Sequence, residues 1–271
     1  MATFYDTHAH FDYPDFAGDF PQMLERAQAA GITKLVAVGT DLESSRRCVR
    51  LAEQHPQIFA VVGWHPNHAH EAPEDLRSAL RELARHPKVV AIGETGLDYF
   101  RLPGGAASGG ADVDLLKRRQ ARLFEQQLEV AAELGLNAAV HQRAALEDTL
   151  AIMGRFAGRV RGQFHCFADD TAALQRILAL GSIVSFTGLL TYKNTQAVRD
   201  ALAAAPLDKF MFETDSPYLV PEPHRANRIR RCEPAFVKDI AELAARVRGC
   251  TLEELSAATC ATAEAFFKRL S

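Results

Sequence analysis

The sequence contains few cysteines, and their spacing excludes two common kinds of site. Five cysteines are present, an odd number, and no two of them are spaced as C-x-x-C; they are Cys48, Cys166, Cys232, Cys250 and Cys260. This pattern argues against a disulfide framework and against a zinc knuckle. The reducing cytoplasm is therefore the expected compartment.

Long apolar runs and an excess of positive charge are also missing. No apolar stretch approaches the roughly 20 residues of a membrane span, and the first residues lack the basic and apolar regions of a signal peptide. We therefore expect no membrane partner. The formal net charge is -3, so a polyanionic partner would need a local basic patch rather than bulk electrostatics.

The chain does contain a regular alternation of apolar, β-branched runs with amphipathic stretches. Of its 271 residues, 48% are hydrophobic, enough for a sizeable core. The predicted strands are residues 3–7, 32–39, 59–63, 89–93, 137–141, 162–165, 183–186 and 209–213. The predicted helices are residues 19–30, 42–54, 73–85, 114–134, 145–156, 172–180, 196–204, 233–247 and 251–270.

Eight strands alternating with helices predict an α/β fold, a (β/α)8 TIM barrel forming a single domain over residues 1–271. A doubly wound open sheet is the alternative, but its glycine-rich phosphate fingerprint is replaced here by His8-Ala9-His10. Two segments break the regularity. Residues 102–112 are glycine-rich and either form a lid or are disordered, and the proline-rich segment 216–234 predicts a long irregular loop.

The pair His8 and His10 near the N-terminus predicts part of a metal site. Residues two apart on a strand point to the same face, so the two imidazoles would lie side by side. On a helix they would be about 200° apart. The two histidines can therefore form part of a metal site only if this segment is a strand, and the other ligands must come from elsewhere in the chain.

Polar residues end most of the predicted strands, where a TIM barrel carries its chemistry. A lone histidine there is more often structural, and a lone carboxylate often caps a helix. Several buried ionisable groups at one barrel mouth would each cost several kcal/mol, however, unless metal ions were bound among them. The predicted ligands are His8, His10, Glu94, His141, His165 and Asp215.

These residues lie within motifs of a known family. DTHAHFD, GWHPNHAH, IGETGLDYFR, AVHQRA, FHCF, SFTGLLTYKN and FETDSPYLVP occur in this order over nearly the whole chain, which resembles the TatD family of metal-dependent hydrolases in the amidohydrolase-like superfamily. The resemblance implies a TIM barrel with one or two metal ions and DNase activity of 3′-exonuclease character. It also implies that His8, His10, Glu94 and Asp215 hold one ion. His141 and His165 would hold a second, with Glu94 bridging.

The residue types of this set suit divalent ions, with Zn, Mn, Fe, Co or Ni favoured over Mg alone, and the resemblance implies up to two of them. A bridged pair of ions can activate a water molecule and neutralise a phosphodiester oxygen. Asp215 either accepts the proton of that water or is a ligand only. Both roles stay open.

Other residues at the mouth have weaker assignments. His65 would contact a substrate phosphate or a carboxylate beside the ligands, or else stabilise the Trp-His-Pro turn. Glu213 is expected to contact an imidazole. Asp98 and Arg143 would position ligands or substrate, or form a loop salt bridge. Cys166 directly follows His165 and is expected to point to the opposite side, into the core.

The chain departs from the family pattern at two places. Cys232 replaces an asparagine in the loop after the eighth strand, and Ala144 stands where an aspartate is common. That loop also contains a basic patch or, alternatively, a solvated charge run: Arg225, Arg228, Arg230 and Arg231. We expect Arg225 and Arg228 to contact substrate phosphates.

The sequence thus predicts a cytoplasmic enzyme, expected to be a monomer, that cleaves phosphodiester bonds of DNA ends with metal-activated water. The alternative is a hydrolase of small amides, lactones or esters with the same metal centre. Such barrels often bridge their ions with a modified lysine, whereas Glu94 occupies that position here. A third hypothesis is a non-catalytic scaffold, which should have lost ligands.

Overall fold

The structure is a computed structural model that describes residues 2–102 and 111–270. In this part of the chain, eight parallel strands pair in sequence order. The strands are β1 (Phe4–Ala9), β2 (Ile32–Val38), β3 (Ile58–Val62), β4 (Val89–Asp98), β5 (Asn137–Arg143), β6 (Gly162–Phe164), β7 (Ile183–Phe186) and β8 (Phe210–Phe212). The helices are α1 (Phe20–Ala29), α2 (Leu42–Gln54), α3 (Arg77–Ala84), α4 (Ala111–Leu134), α5 (Leu146–Gly154), α6 (Thr171–Ala179), α7 (Gln196–Ala204), α8 (Val237–Arg248) and α9 (Leu252–Phe266). The predicted TIM-barrel fold is confirmed.

The sheet is closed where β1 meets the segment after β8. The backbone N–H of His10 donates to the carbonyl of Ser216 at 2.7 Å, and that of Asp215 donates to the carbonyl of His8 at 2.9 Å. Closure therefore places three of the predicted ligands next to one another.

The barrel interior is filled at its N-terminal end by an apolar cluster. Residues near the start of the strands, such as Phe59 and Val90, pack there with Phe266 and Phe267 at the end of α9. Because side chains alternate across a strand, the other set packs outward against the helices. This cluster, the apolar plug, leaves the C-terminal end of the barrel open for a ligand.

The longest difference from prediction is in β4, which continues to Asp98 instead of ending at Gly93. Ile92 pairs with Ala138 of β5, but Thr95 pairs with Val140, so β4 contains one extra residue between these pairs. This is a β-bulge. The glycine predicts the end of the strand, but pairing with β5 continues the strand through Gly93 to Asp98.

Two other predictions concern irregular segments. The segment 216–234 contains neither helix nor strand, apart from the first residue of the 3-10 turn Pro234–Phe236, as predicted. The predicted lid at 102–112 falls mostly on residues 103–110, outside the described residues.

Among the described helices, none has the length and hydropathy needed to cross a membrane. The division into one domain over 1–271 stays a prediction.

We predict that Ala144→Gly stabilises the protein. Ala144 is exposed between β5 and α5 with a φ of 54°, in the left-handed region, which costs an alanine about 1–2 kcal/mol. Glycine removes that cost and loses part of the gain to its larger unfolded-state entropy. We expect the free energy of unfolding in urea to rise by about 0.5–1 kcal/mol.

The matched control is Ala257→Gly, at an exposed position inside α9. There the same change should lower the free energy of unfolding by about 0.5–1 kcal/mol. Equal destabilisation by both substitutions would contradict the prediction.

Candidate metal centre

Four imidazoles and two carboxylates converge at the C-terminal end of the barrel. Glu94 lies within β4, and the other five come from the end of a strand or from the residues after it: His8 from β1, His10 after β1, His141 from β5, His165 after β6 and Asp215 after β8. The structure therefore brings together every residue of the predicted ligand set.

Glu94 lies at the centre of this set, and its two oxygens face different groups. Oε1 is 2.8 Å from His141 Nδ1 and 2.8 Å from His165 Nε2. Oε2 is 3.5 Å from His8 Nε2 and 3.6 Å from His10 Nε2. This is the division that the resemblance implies for a bridging carboxylate.

Asp215 belongs to the second of these groups. Its Oδ1 is 3.4 Å from His10 Nε2 and 3.8 Å from His8 Nε2. Its φ of 56° is in the left-handed region, which costs a non-glycine residue energy and is frequent at functional sites. Asp215 also lines the cavity above the centre, so its carboxylate is accessible to a ligand.

Two of the imidazoles have their outer nitrogen next to an acceptor. His10 Nδ1 is 3.1 Å from the carbonyl of Val38, and His141 Nε2 is 3.2 Å from Oδ2 of Asp98. When the outer nitrogen of a neutral imidazole donates its proton, the inner nitrogen keeps the lone pair that binds a metal. Asp98 thus positions a proposed ligand, one of its two predicted roles.

Glu213 supports His165 from within the barrel. Its Oε1 lies 3.5 Å from His165 Nδ1 and accepts the backbone N–H of Cys166 at 2.6 Å. The other oxygen accepts the hydroxyl of Ser185 at 2.6 Å and the side-chain amide of Gln163 at 3.0 Å. Glu213 is fully buried, so this network holds its carboxylate beside the imidazole, as predicted.

Unpartnered buried atoms show that the centre fits a cation. Both ring nitrogens of His8 and Oε2 of Glu94 are buried without a hydrogen-bond partner, which is costly unless something else binds them. Their ligand atoms and that of His10 lie within 4.8 Å of one another. Divalent ions would satisfy these atoms.

The pKa values of His8 and His10 also reflect the burial of the centre and the charge of its carboxylates. Burial lowers the pKa of His8 and keeps its imidazole neutral, the form that binds metal. Burial opposes protonation of His10 as well, but its hydrogen bond with Asp215 and the charge of Glu94 raise its pKa to about 9. The carboxylates thus attract a positive charge, which a metal ion would supply.

His65 also enters the centre. Its Nε2 is 3.2 Å from Glu94 Oε1 and 3.3 Å from His141 Nδ1. His65, Glu94 and His141 form a group with ligand atoms within 4.8 Å of one another. The structure therefore places His65 as close to Glu94 as the predicted ligands lie, a position that sequence reasoning did not predict.

A cavity of about 840 Å³ opens above the centre and receives one predicted arginine. Arg143 lines it, with its guanidinium 4.0 Å from the ring centroid of the exposed Phe100. Arg225 and Arg228 are not among the described residues that line the cavity. Arg225 lies 4.5 Å from the ring centroid of Tyr192, and Arg228 is exposed.

The prediction that Cys166 points into the core is wrong. Cys166 is half-buried and lines the cavity. Strand β6 ends at Phe164 and Cys166 has a φ of 49°, so the alternation of a strand no longer applies to it. Its thiol therefore lies beside the proposed ligands.

Sequence reasoning missed two tyrosines at the cavity. Tyr13 stacks on His10 with ring centroids 5.1 Å apart and planes inclined by 18°, and Tyr218 lies edge-on to Tyr13 at 6.2 Å. Both line the cavity. The signal was their position three residues after a proposed ligand, His10 and Asp215 respectively.

Comparison with known proteins agrees with this centre. Residues 5–268 match the family described as TatD related DNase. The metal-dependent hydrolase YabD of Bacillus subtilis (strain 168) is 33% identical over 267 residues, covering 97% of this chain and 98% of YabD. The 3′-5′ ssDNA/RNA exonuclease TatD of Erwinia tasmaniensis is 33% identical over 267 residues, covering 97% of this chain and 99% of that protein.

A solved structure has the same fold along the whole chain. The TatD homologue YjjV of Escherichia coli K12 superimposes with a TM-score of 0.87 at 28% identity, covering 98% of each chain. The family match extends over nearly every residue and includes all six proposed ligands. The chain therefore belongs to the TatD related DNase family of metal-dependent hydrolases.

Proposed function

We propose that this protein cleaves phosphodiester bonds at the end of a single DNA or RNA strand with two divalent metal ions. The observation that carries the proposal is Glu94, whose two oxygens face two separate groups of imidazoles. The proposed ligands of one ion are His8, His10, Glu94 and Asp215, and those of the other are Glu94, His141 and His165. The relative from Erwinia tasmaniensis is named a 3′-5′ ssDNA/RNA exonuclease, and we extend that polarity to this chain.

Bound ions of Zn, Mn, Mg, Fe, Co or Ni would activate a water molecule and neutralise a phosphate oxygen. Asp215 is placed to accept the proton of that water. Burial alone would raise the pKa of Asp215, but its hydrogen bond with His10 holds the pKa below its ordinary value. The carboxylate is thus ionised at neutral pH and can act as a base in the cavity.

Arg143 at the cavity rim favours an anionic substrate. A guanidinium can form two parallel hydrogen bonds with a phosphate group. The small-molecule amide, lactone or ester hydrolase is not favoured, since these features suit a phosphodiester. The non-catalytic scaffold is not favoured either, because every predicted ligand position carries a histidine, a glutamate or an aspartate, which can bind a metal ion. We also propose that the protein acts in the cytoplasm and as a monomer, as the sequence predicts.

Metal removal should abolish hydrolysis, and Glu94→Gln should impair it. Treatment with EDTA is expected to stop digestion of a single-stranded oligonucleotide labelled at its 5′ end, and added Mn²⁺ or Zn²⁺ to restore it. Because Glu94 would bridge both ions, the Gln variant should bind less than one equivalent of metal. We expect its kcat/KM to fall at least about 100-fold.

The control for Glu94→Gln is Glu43→Gln, an exposed carboxylate that pairs with Arg46 and Arg50 on the surface. It should leave metal content and kcat/KM unchanged. Loss of nuclease activity in Glu94→Gln without loss of bound metal would refute the bridging role. Chelator-sensitive cleavage of lactones or esters, with no cleavage of oligonucleotides, would instead support the small-molecule hydrolase.

The arginines of the loop after β8 should contribute to binding outside the cavity. Replacing Arg225, Arg228 and Arg230 together by Ala is expected to raise KM for an oligonucleotide and to weaken the dependence of KM on salt. The slope of log KM against log NaCl concentration should decrease by about 0.7 for each phosphate that the loop no longer neutralises. Kinetics at several NaCl concentrations measure both effects.

The double substitution of Arg46 and Arg50 by Ala is the control, because both arginines are exposed on α2. It removes like charges and should leave the salt dependence unchanged. Identical KM values for the loop variant and the wild type at every salt concentration would exclude phosphate contacts by this loop.

A further inference from the structure

Hydrogen-bond direction separates His65 from two of the imidazoles proposed as ligands, His10 and His141. The outer nitrogens of His10 and His141 lie beside a carbonyl oxygen and a carboxylate, at 3.1 and 3.2 Å. These partners only accept, so in a neutral ring the outer nitrogen holds the proton. In that neutral form, the inner nitrogen of each ring has a lone pair that can bind an ion.

His65 has the opposite arrangement. Its outer nitrogen, Nδ1, lies 3.0 Å from the backbone N–H of Asn67, which only donates. Nδ1 must therefore be unprotonated, and the ring is neutral with its proton on Nε2. Nε2 is the nitrogen that points into the centre, 3.2 Å from Glu94 Oε1. A nitrogen that carries a proton has no lone pair for a metal ion.

The turn around His65 holds this tautomer in place. Asn67 is the second residue of the 3-10 turn Pro66–His68, which His65 caps with its side chain. The ring is buried and lies 4.5 Å from that of His141, so rotation away from the turn would break both interactions. The N–H is thus oriented before a substrate arrives, as a preorganised donor requires.

We propose that His65 is not a metal ligand, despite its distance to Glu94 and His141, but a fixed hydrogen-bond donor to a phosphate oxygen of the substrate. The proposal rests on the proposed phosphodiesterase function for the identity of the substrate. The tautomer itself follows from the protein alone, so the two can be tested separately.

The tautomer is measured by NMR on protein labelled with ¹⁵N-histidine, without metal and loaded with Zn²⁺. The signal of His65 is assigned by its absence from His65→Gln. We expect a directly bonded proton on Nε2 of His65 in both states, whereas the inner nitrogens of His10 and His141 should carry no proton once Zn²⁺ is bound. An unprotonated, Zn²⁺-shifted Nε2 of His65 would overturn the proposal.

Variants test the role of this N–H. His65→Ala and His65→Gln should keep the metal content of the wild type. Inhibition by inorganic phosphate should weaken about 10-fold in His65→Ala, and kcat/KM for an oligonucleotide should fall about 10- to 100-fold. The amide of His65→Gln can donate, so both losses should be partly reversed. Loss of one metal equivalent, or unchanged phosphate inhibition, would refute the proposal.

His86→Gln is the matched control. Nδ1 of His86 also accepts a backbone N–H from the residue two positions later, Lys88, at 3.2 Å, but it precedes β4 at the other end of the barrel. Its substitution should change neither metal content nor phosphate inhibition. If the wild type cleaved no oligonucleotide, the proposed function would fail, while the tautomer and phosphate binding would still decide the role of His65.

Discussion

Closure of the barrel between β1 and the end of β8 is the interaction on which the metal centre depends. The buried carboxylate of Asp6 accepts the backbone N–H and the hydroxyl of Thr214, at 2.9 and 2.5 Å. Burial raises the pKa of Asp6 to about 7, although the hydrogen bonds with Thr214 oppose that rise. Together with the backbone bonds of His8 and His10, this contact brings Asp215 to the two histidines. Without closure, these ligands would lie on opposite edges of an open sheet.

The centre combines strong desolvation with unbalanced charge. Glu94, His8, His10 and His165 are buried above the apolar plug while Asp215 and His141 are half-buried, and the network around Glu213 forms the polar layer between plug and ligands. Burying such groups without partners costs several kcal/mol each. The raised pKa of His10 and the unpartnered nitrogens of His8 have the same origin, an arrangement built for a cation. The proposed function and the fold around the centre therefore depend on the same requirement, a cation that balances these buried groups.

Local irregularities of the strands aim the ligands into the barrel. β1 has one extra residue relative to β2 between Asp6 and Ala9, and β4 has one between Ile92 and Thr95. His8 and Glu94 lie within these bulges, which are frequent next to active sites. Gly96 then passes close to β5 with a φ of 134°, where a Cβ atom would collide with the carbonyl of His141. Only glycine allows this approach.

The sequence by itself determined the order of strands, the barrel and the residue types of the centre. It could do so because side-chain periodicity is local, and because the ends of parallel strands meet at one edge, so that His8, Glu94 and His141 had to converge. Only the tertiary structure decided that Glu94 faces two groups, that Cys166 lines the cavity and that Arg225 lies over Tyr192. It also decided the direction of the N–H of His65. These features depend on strand register, backbone conformation and hydrogen-bond partners, which are set by contacts between elements and leave no period in the sequence.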